Sequence, residues 1–100
     1  MHIHNVCFWL KEDLEKVQRD AFEVGLASLC GDDAVHTGWY GKPAHTDRDV
    51  VENSYSYGLV LVFDDLAAHD RYQAGDVHMK FVDDHLDKWT RVVVHDVDTL

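Results

Sequence analysis

Apolar and polar residues alternate with a period of two over residues 2–10, the first patterned stretch of the chain. Even positions from His2 to Leu10 fall on one side of an extended segment, and odd positions fall on the other. Both sides carry apolar residues, which predicts a strand with two covered faces. The next stretch, 12–31, gathers apolar residues near one helical face with charges opposite, and Gly31 is placed to end that helix.

The second part of the chain continues with further periodic segments. In order they predict a strand at 34–42, a polar connection at 44–53, a strand within 54–65, helical segments at 66–73 and 78–89, and a strand at 91–97. Gly75 and Asp76 interrupt the helical region. The order β-α-β-β-α-β predicts an α+β, ferredoxin-like fold in which two helices cover one face of the sheet.

The other face of the sheet also needs a cover, because strand one carries apolar residues there. Ile3, Cys7 and Trp9 are the odd-numbered apolar positions. A second copy of the same sheet would cover them, which predicts a homodimer whose two sheets close into an α+β barrel. A chain of 100 residues suits one domain, 1–100, and gains stability from such pairing.

Charge narrows the range of partners. The formal net charge is −10, with 19 acidic against nine basic residues, so we expect no nucleic-acid partner and no anionic membrane surface. The longest apolar runs, such as 59–63, are too short to cross a bilayer, and the start of the chain lacks the pattern of a secretory signal. The sequence predicts a cytoplasmic protein whose Cys7 and Cys30 are reduced core thiols.

Residues 71–89 carry the side chains best suited to proton transfer. Tyr72 precedes the break in the helical region, and an imidazole and three further ring side chains follow at helical spacing: His78, Phe81, His85 and Trp89. A histidine with an ordinary pKa of about 6.5 suits a general base at neutral pH. The structural alternatives are a buried Tyr72 bonded to a carbonyl, a His78 that caps a helix, and Phe81 and Trp89 as core residues.

Metal binding has weak support in the sequence. His2 and His4 lie on one face of strand one, but no third ligand is placed beside them, so no metal site is predicted. His85, beside two aspartates, is interpreted as a solvated or dimer-edge residue. The remaining histidines, His36, His45, His69 and His95, stand alone and receive no role.

Four segments together resemble the stress-responsive A/B barrel domain family of small dimeric α+β barrels. They are "IHNVCFWLK", "GWYGK", "YSYGLVLVFDD" and "RYQAGDVHMKFVDDHLDKW". His4 falls on the histidine that the family typically has in its first strand. The resemblance covers nearly the whole chain.

Within that family, the site resembles that of plant polyketide cyclases, which close a ring by an aldol condensation. By position, the resemblance makes His78 and Tyr72 the catalytic pair, with His4 and Tyr57 facing the same cavity. It implies an apolar wall for a small hydrophobic or aromatic ligand, made of Phe8, Phe22, Phe81 and Trp89. The implied enzyme is a lyase or isomerase that uses no metal and no organic cofactor.

Two other functions stay open at this stage. One is a non-catalytic, small-ligand-binding or stress-related protein. The other is a haem-degrading enzyme or cofactor-free monooxygenase, which Asn5 suggests because related barrels use an asparagine on strand one. Strand alternation opposes the second, since Asn5 faces away from the pocket if His4 faces into it.

Overall fold

The computed structural model describes residues 1–100 and contains four strands and three α-helices. They are β1 (His2–Leu10), α1 (Lys16–Cys30), β2 (Thr37–Gly41), β3 (Tyr57–Phe63), α2 (Leu66–Ala74), α3 (Asp76–His85) and β4 (Trp89–Asp98), with a 3-10 turn at Leu86–Lys88 before the last strand. The sheet is antiparallel, in the order β2-β3-β1-β4. The predicted α+β, ferredoxin-like fold is confirmed.

The sheet has an inner face toward the helices and an outer face without them. All five even-numbered residues of β1, from His2 to Leu10, are buried on the inner face, as their alternation predicted. Leu26 of α1 and Leu61 and Phe63 of β3 are fully buried there. The hydrophobic core therefore lies between the inner face and the helices, chiefly over β1 and β3.

Local hydrogen bonds determine where α1 and β2 begin, and both begin later than the sequence pattern predicted. Helix α1 begins at Lys16 rather than near residue 12, because Glu15 and Gln18 form a reciprocal capping box. Strand β2 begins only at Thr37, because Asp32 holds the preceding residues in a turn and its side chain accepts from the Ala34 N–H.

Trp89 was predicted in the last helix, and this is wrong. Helix α3 ends at His85, and Trp89 begins β4, where it pairs with Leu10. Its ring stacks on Phe81 with the centroids 6.0 Å apart, so the apolar contact expected from helical spacing survives. The 3-10 turn returns the chain to the sheet before another helical turn can form.

The expectation that His85 is solvated is also wrong. Its side chain is buried at the point where α1 and α3 meet. A Cβ on Gly25 of α1 would lie 2.6 Å from His85 Nε2, so the absence of a side chain at Gly25 makes room for the imidazole. The close approach of the two helices, which periodicity within one helix does not reveal, explains the burial.

The inner face of β4 extends beyond the helices. Val92 and Val94 point to the same side as Phe8 and Val6 of β1, yet they are 36% and 45% exposed. This uncovered part of the inner face forms one side of the cavity described next.

Candidate functional site

A partly open cavity of about 160 Å³ lies between the inner sheet face and the helices. Ten of its 13 lining residues are hydrophobic, so its interior suits an apolar body. Its polar lining consists of His4, Gln73 and His78, and Tyr72 adds a phenol. A few polar groups in an apolar wall are typical of sites that orient a small organic ligand.

Tyr72 and His78 meet where α2 gives way to α3. Tyr72 is in the last turn of α2 and His78 is in the first turn of α3, and their ring centroids are 5.1 Å apart. The Gly75 N–H donates to the Tyr72 carbonyl, which closes α2, and α3 starts directly afterwards at Asp76. The break between the helices thus brings the two rings together over the cavity. It falls at Gly75 alone, since Asp76 is already helical.

Burial shifts the pKa values of these two side chains in opposite directions, so that one suits a proton acceptor and the other a proton donor. It lowers the pKa of His78 below the ordinary 6.5, and the nearby His4 lowers this pKa further, while the backbone of Gln73 opposes the shift. Burial also raises the pKa of the Tyr72 phenol well above 10, helped by the negative charge of Asp32. At neutral pH the site therefore holds an unprotonated imidazole beside a protonated phenol.

His4 is the third chemically active group of the cavity. Its ring centroid is 6.2 Å from that of Tyr72, and its Nδ1 lies 2.6 Å from Asp96 Oδ1 on the neighbouring strand. Burial lowers the His4 pKa, although the hydrogen bond to Asp96 works against the shift. The hydrogen bond to this carboxylate orients the His4 ring.

The structure sorts the expected wall residues into two sets. Phe8, Phe81 and Trp89 line the cavity together with His4, Tyr72 and His78. Phe22 and Tyr57 do not, and their assignment to the cavity wall is corrected. Phe22 is fully buried between Phe8 and Tyr57, at centroid distances of 5.2 and 5.4 Å, so it lies in the core behind the wall.

Tyr57 and Tyr72 differ in what their hydroxyls contact. The Tyr57 hydroxyl donates to the Glu23 carboxylate, and burial together with this bond raises the Tyr57 pKa to about 12. No hydrogen bond contributes to the raised pKa of Tyr72, so its hydroxyl has no partner within the protein. Every polar side-chain atom that is fully shielded from solvent does have a hydrogen-bond partner, so the Tyr72 hydroxyl is not fully shielded. This hydroxyl is therefore free to bond a molecule in the cavity.

A second polar group adjoins the cavity and was missed from the sequence. His2, His4, His69 and Asp96 bring one nitrogen or oxygen each to within 4.8 Å of one another. Two features of the sequence are consistent with this group. His4 and Asp96 lie on strands that pair antiparallel, which sets them opposite each other, and His69 precedes Tyr72 by three residues on the same helix face. The first feature becomes informative only when the register of the two strands is known from the folded sheet.

Comparison with known proteins identifies the family to which this architecture corresponds. The family model for the stress responsive A/B barrel domain matches residues 3–99. No curated protein sequence matches the chain significantly. The structure contains no helix with the length and apolar character needed to cross a membrane.

Three solved structures share the fold. A Dabb family protein with a ferredoxin-like fold from Mesorhizobium loti superposes with a TM-score of 0.79 at 23% identity, covering 99% of this chain and 96% of that one. A dimeric ferredoxin-like protein of unknown function from Thermobifida fusca gives 0.79 at 14%, covering 98% and 90%. The hydroxynitrile lyase from Passiflora edulis gives 0.78 at 17%, covering 96% and 90%.

Proposed function

Because the chain belongs to the stress-responsive A/B barrel domain family, we propose that its cavity binds a small hydrophobic carbonyl compound and catalyses proton transfer on it. His78 is the base, and Tyr72 donates a hydrogen bond to the oxygen that gains negative charge. One observation carries the proposal: an unprotonated imidazole and an unpartnered phenol adjoin each other at an apolar cavity.

The reaction proposed is an aldol-type ring closure like that of the polyketide cyclases. His78 removes a proton from a carbon between two carbonyls, and the C–H electron pair forms an enolate whose oxygen accepts from Tyr72. The enolate carbon then attacks a third, more distant carbonyl of the same molecule, which forms the carbon–carbon bond as the electron pair of that carbonyl moves onto its oxygen. The resulting alkoxide takes the proton back from His78. The sequence of steps balances without an oxidant, a metal or an organic cofactor.

The Passiflora edulis enzyme supports the reaction class without identifying the substrate. It is named a hydroxynitrile lyase and has the same fold. Cleavage of a hydroxynitrile into a carbonyl compound also requires proton transfer at an oxygen attached to the reacting carbon, so this fold accommodates such chemistry. At 17% identity the likeness is one of fold, and the carbonyl substrate proposed here is argued from the cavity alone.

Non-catalytic binding of a small hydrophobic ligand is the second candidate. The specific observation in its favour is the predominance of hydrophobic side chains in the cavity lining. The haem-degrading function has no comparable support, because Asn5 is exposed on the outer face, opposite Val60 and His95 of the neighbouring strands.

Turnover of β-keto acids and β-keto thioesters tests the function. The chain is assayed in the presence of a chelator as wild type, His78→Ala, Tyr72→Phe and the control His36→Ala, whose histidine is paired with Asp64 at the surface. We expect turnover that both site substitutions reduce and the control leaves unchanged. Turnover independent of His78 and Tyr72 contradicts the mechanism. Tight binding of a hydrophobic ligand with no turnover supports the binder instead.

The outer sheet face is proposed to pair with a second copy of the chain. This face is largely apolar, with Asn5 and His95 as polar positions among side chains that are all half-buried or exposed: Ile3, Cys7, Trp9, Trp39, Val60, Val62, Val93 and Val97. The Thermobifida fusca protein of the same fold is described as dimeric. A two-fold homodimer would bury this face away from water. Burial of apolar surface is the main source of stability for a small chain.

A matched pair of substitutions tests the dimer by sedimentation. Val60→Glu places a charge at the centre of the outer face, between Asn5 and Trp39 on the adjacent strands, and is expected to give a monomer. Val24→Glu makes the same change on α1, where the side chain is 68% exposed, and should stay dimeric. A wild-type monomer of 11.5 kDa at micromolar concentration would overturn the proposal.

A further inference from the structure

Three imidazoles and one carboxylate converge at one end of the inner sheet face. His2 and His4 lie on β1, Asp96 lies opposite His4 on β4, and His69 comes over them from α2. The His69 ring centroid is 4.5 Å from that of His2 and 5.1 Å from that of His4. One Asp96 oxygen lies 2.6 Å from His4 Nδ1 and 3.2 Å from His2 Nε2. Three elements distant in sequence thus supply one compact donor set.

We propose that His2, His4, His69 and Asp96 bind one divalent transition-metal ion per chain, with zinc as the preferred ion. Three nitrogens and one oxygen make a complete four-ligand set for zinc, whose sites are usually tetrahedral. Bonds of about 2.0–2.1 Å separate tetrahedral ligands by about 3.3 Å. The donor atoms here already lie within 4.8 Å of one another, so the side chains need to move only slightly.

The ligand type selects the class of metal. Imidazole suits zinc, copper, nickel and iron, whereas magnesium and calcium favour sites built from oxygen ligands. A site with three imidazoles and one carboxylate therefore discriminates against the two abundant hard cations. The net charge of −10 favours the approach of any cation.

The surroundings of the cluster match those of built metal sites. Metal-ligating histidines commonly donate their second ring N–H to a carboxylate, which fixes the tautomer and orients the ring. His2 has this arrangement, since its Nδ1 lies 2.9 Å from Asp98 Oδ1 while its Nε2 faces Asp96. His69 Nδ1 lies 3.1 Å from Asp70 Oδ1, and the Gln73 amide makes a longer contact of 3.4 Å to His69 Nε2.

Three of the four proposed ligands are largely shielded from solvent, and the fourth is partly exposed. The His2 and His4 side chains are 6% and 7% exposed and that of His69 is 14% exposed, whereas the Asp96 side chain is 42% exposed. Asp96 therefore marks the path by which an ion enters. Buried, pre-positioned imidazoles reduce the side-chain entropy that is lost when a metal binds.

The alternative is a hydrogen-bond network that satisfies two buried histidines and binds nothing, and titration with metal distinguishes the two. Protein stripped with a chelator is titrated with zinc by calorimetry and with cobalt(II) by absorption, since tetrahedral cobalt reports its geometry directly. The variants are His69→Gln and Asp96→Asn, and the control is His36→Gln, a surface histidine paired with Asp64 at 3.0 Å. No substrate is present, so failure of the proposed reaction does not affect the result.

We expect one zinc per wild-type chain, a tetrahedral cobalt spectrum that zinc displaces, and an unchanged control. His69→Gln and Asp96→Asn should each weaken zinc binding by about a hundredfold or more, since loss of a direct ligand exceeds the 10–100-fold effect of an outer partner. If His69→Gln does not fold, the more exposed Asp96→Asn carries the test alone. Wild-type affinity no tighter than that of the folded ligand variant, or an octahedral cobalt spectrum, overturns the proposal.

Discussion

Two groups of histidines share the inner side of this small protein and differ in their partners. His78 lies beside Tyr72 among hydrophobic residues. His2 and His4 instead contact the carboxylate of Asp96. The chemistry of an imidazole here follows from its neighbours: a neutral ring in an apolar wall suits a base, and rings gathered around a carboxylate suit a metal.

His4 belongs to both groups, because it lines the cavity and contacts Asp96. Its position joins the two regions without making them one site, since His78 is outside the donor set and His69 does not line the cavity.

Removing the proposed base should have the largest effect. We expect His78→Ala to lower kcat/KM on a β-keto substrate by roughly 10²–10⁴-fold, the range typical of a general base. Zinc binding should not change, because His78 is outside the donor set. Steady-state kinetics and calorimetry on the same preparation measure both quantities. A variant that loses zinc binding along with turnover would show that the two regions act as one.

The two buried tyrosines provide the next contrast. Tyr72→Phe should reduce turnover by about 10²-fold, less than His78→Ala, because one oxyanion donor is removed. Tyr57→Phe should leave turnover unchanged and lower the free energy of unfolding by about 1 kcal/mol, because it breaks the bond to Glu23. Kinetics and urea unfolding of both variants test this pairing. Equal losses of turnover would show that Tyr57 also acts in the cavity.

A change next to the metal ligands should have a smaller effect. Asp98→Asn removes the carboxylate that orients His2 and is expected to weaken zinc binding by about 10–100-fold while turnover in chelator stays unchanged. Competition with a colorimetric zinc indicator measures the affinity. An affinity equal to that of wild type would mean that Asp98 does not orient a metal ligand.

The pH dependence of turnover should follow His78 and Tyr72. Activity is expected to rise with pH through a pKa below 6.5 as His78 loses its proton, and then to stay level because the Tyr72 phenol remains protonated well above pH 10. A kcat/KM profile in chelator measures this. Activity that instead falls between pH 6 and 8 would contradict the roles assigned.

The smallest expected effect is on the free energy of unfolding, which should fall as the pH is lowered. Burial lowers the pKa of His85, and the Lys88 ammonium, 2.9 Å from its Nδ1, lowers it further. The unfolded chain then binds more protons than the folded one below about pH 6.5, so the free energy of unfolding falls on acidification. Urea unfolding at pH 5.5 and 7.5 should show a weaker pH dependence in His85→Gln. An unchanged dependence would assign the effect to other groups.

Alternation along single elements was enough to predict the fold. The buried even face of β1 and the order of the elements follow from periods of two and 3.6 in the sequence. Trp89 and His85 were misplaced because their positions depend on contacts between elements: pairing with Leu10 for one, and the space beside Gly25 for the other. Periodicity carries no information about such contacts.

The site was predicted unevenly for the same reason. The joint presence of His4, Tyr72 and His78 at one cavity agrees with the expectation from sequence spacing and family resemblance. The sequence placed His2 beside His4 but did not bring His69 and Asp96 to them, because members of the group are up to 94 residues apart and meet through strand register and helix packing. Long-range side-chain clusters require the folded structure.

Imidazole resonances recorded by NMR, with zinc and with a non-reactive β-diketone added separately, would show whether the histidines divide into a metal-binding group and a ligand-binding group. We expect zinc to shift the resonances of His2, His4 and His69 and leave that of His78 in place, whereas the diketone shifts His78 and leaves His2 and His69 in place. His4 alone should respond to both. Zinc that shifts His78 as strongly as His69, or a diketone that shifts His2 and His69 but not His78, would contradict the division of the histidines into two chemistries.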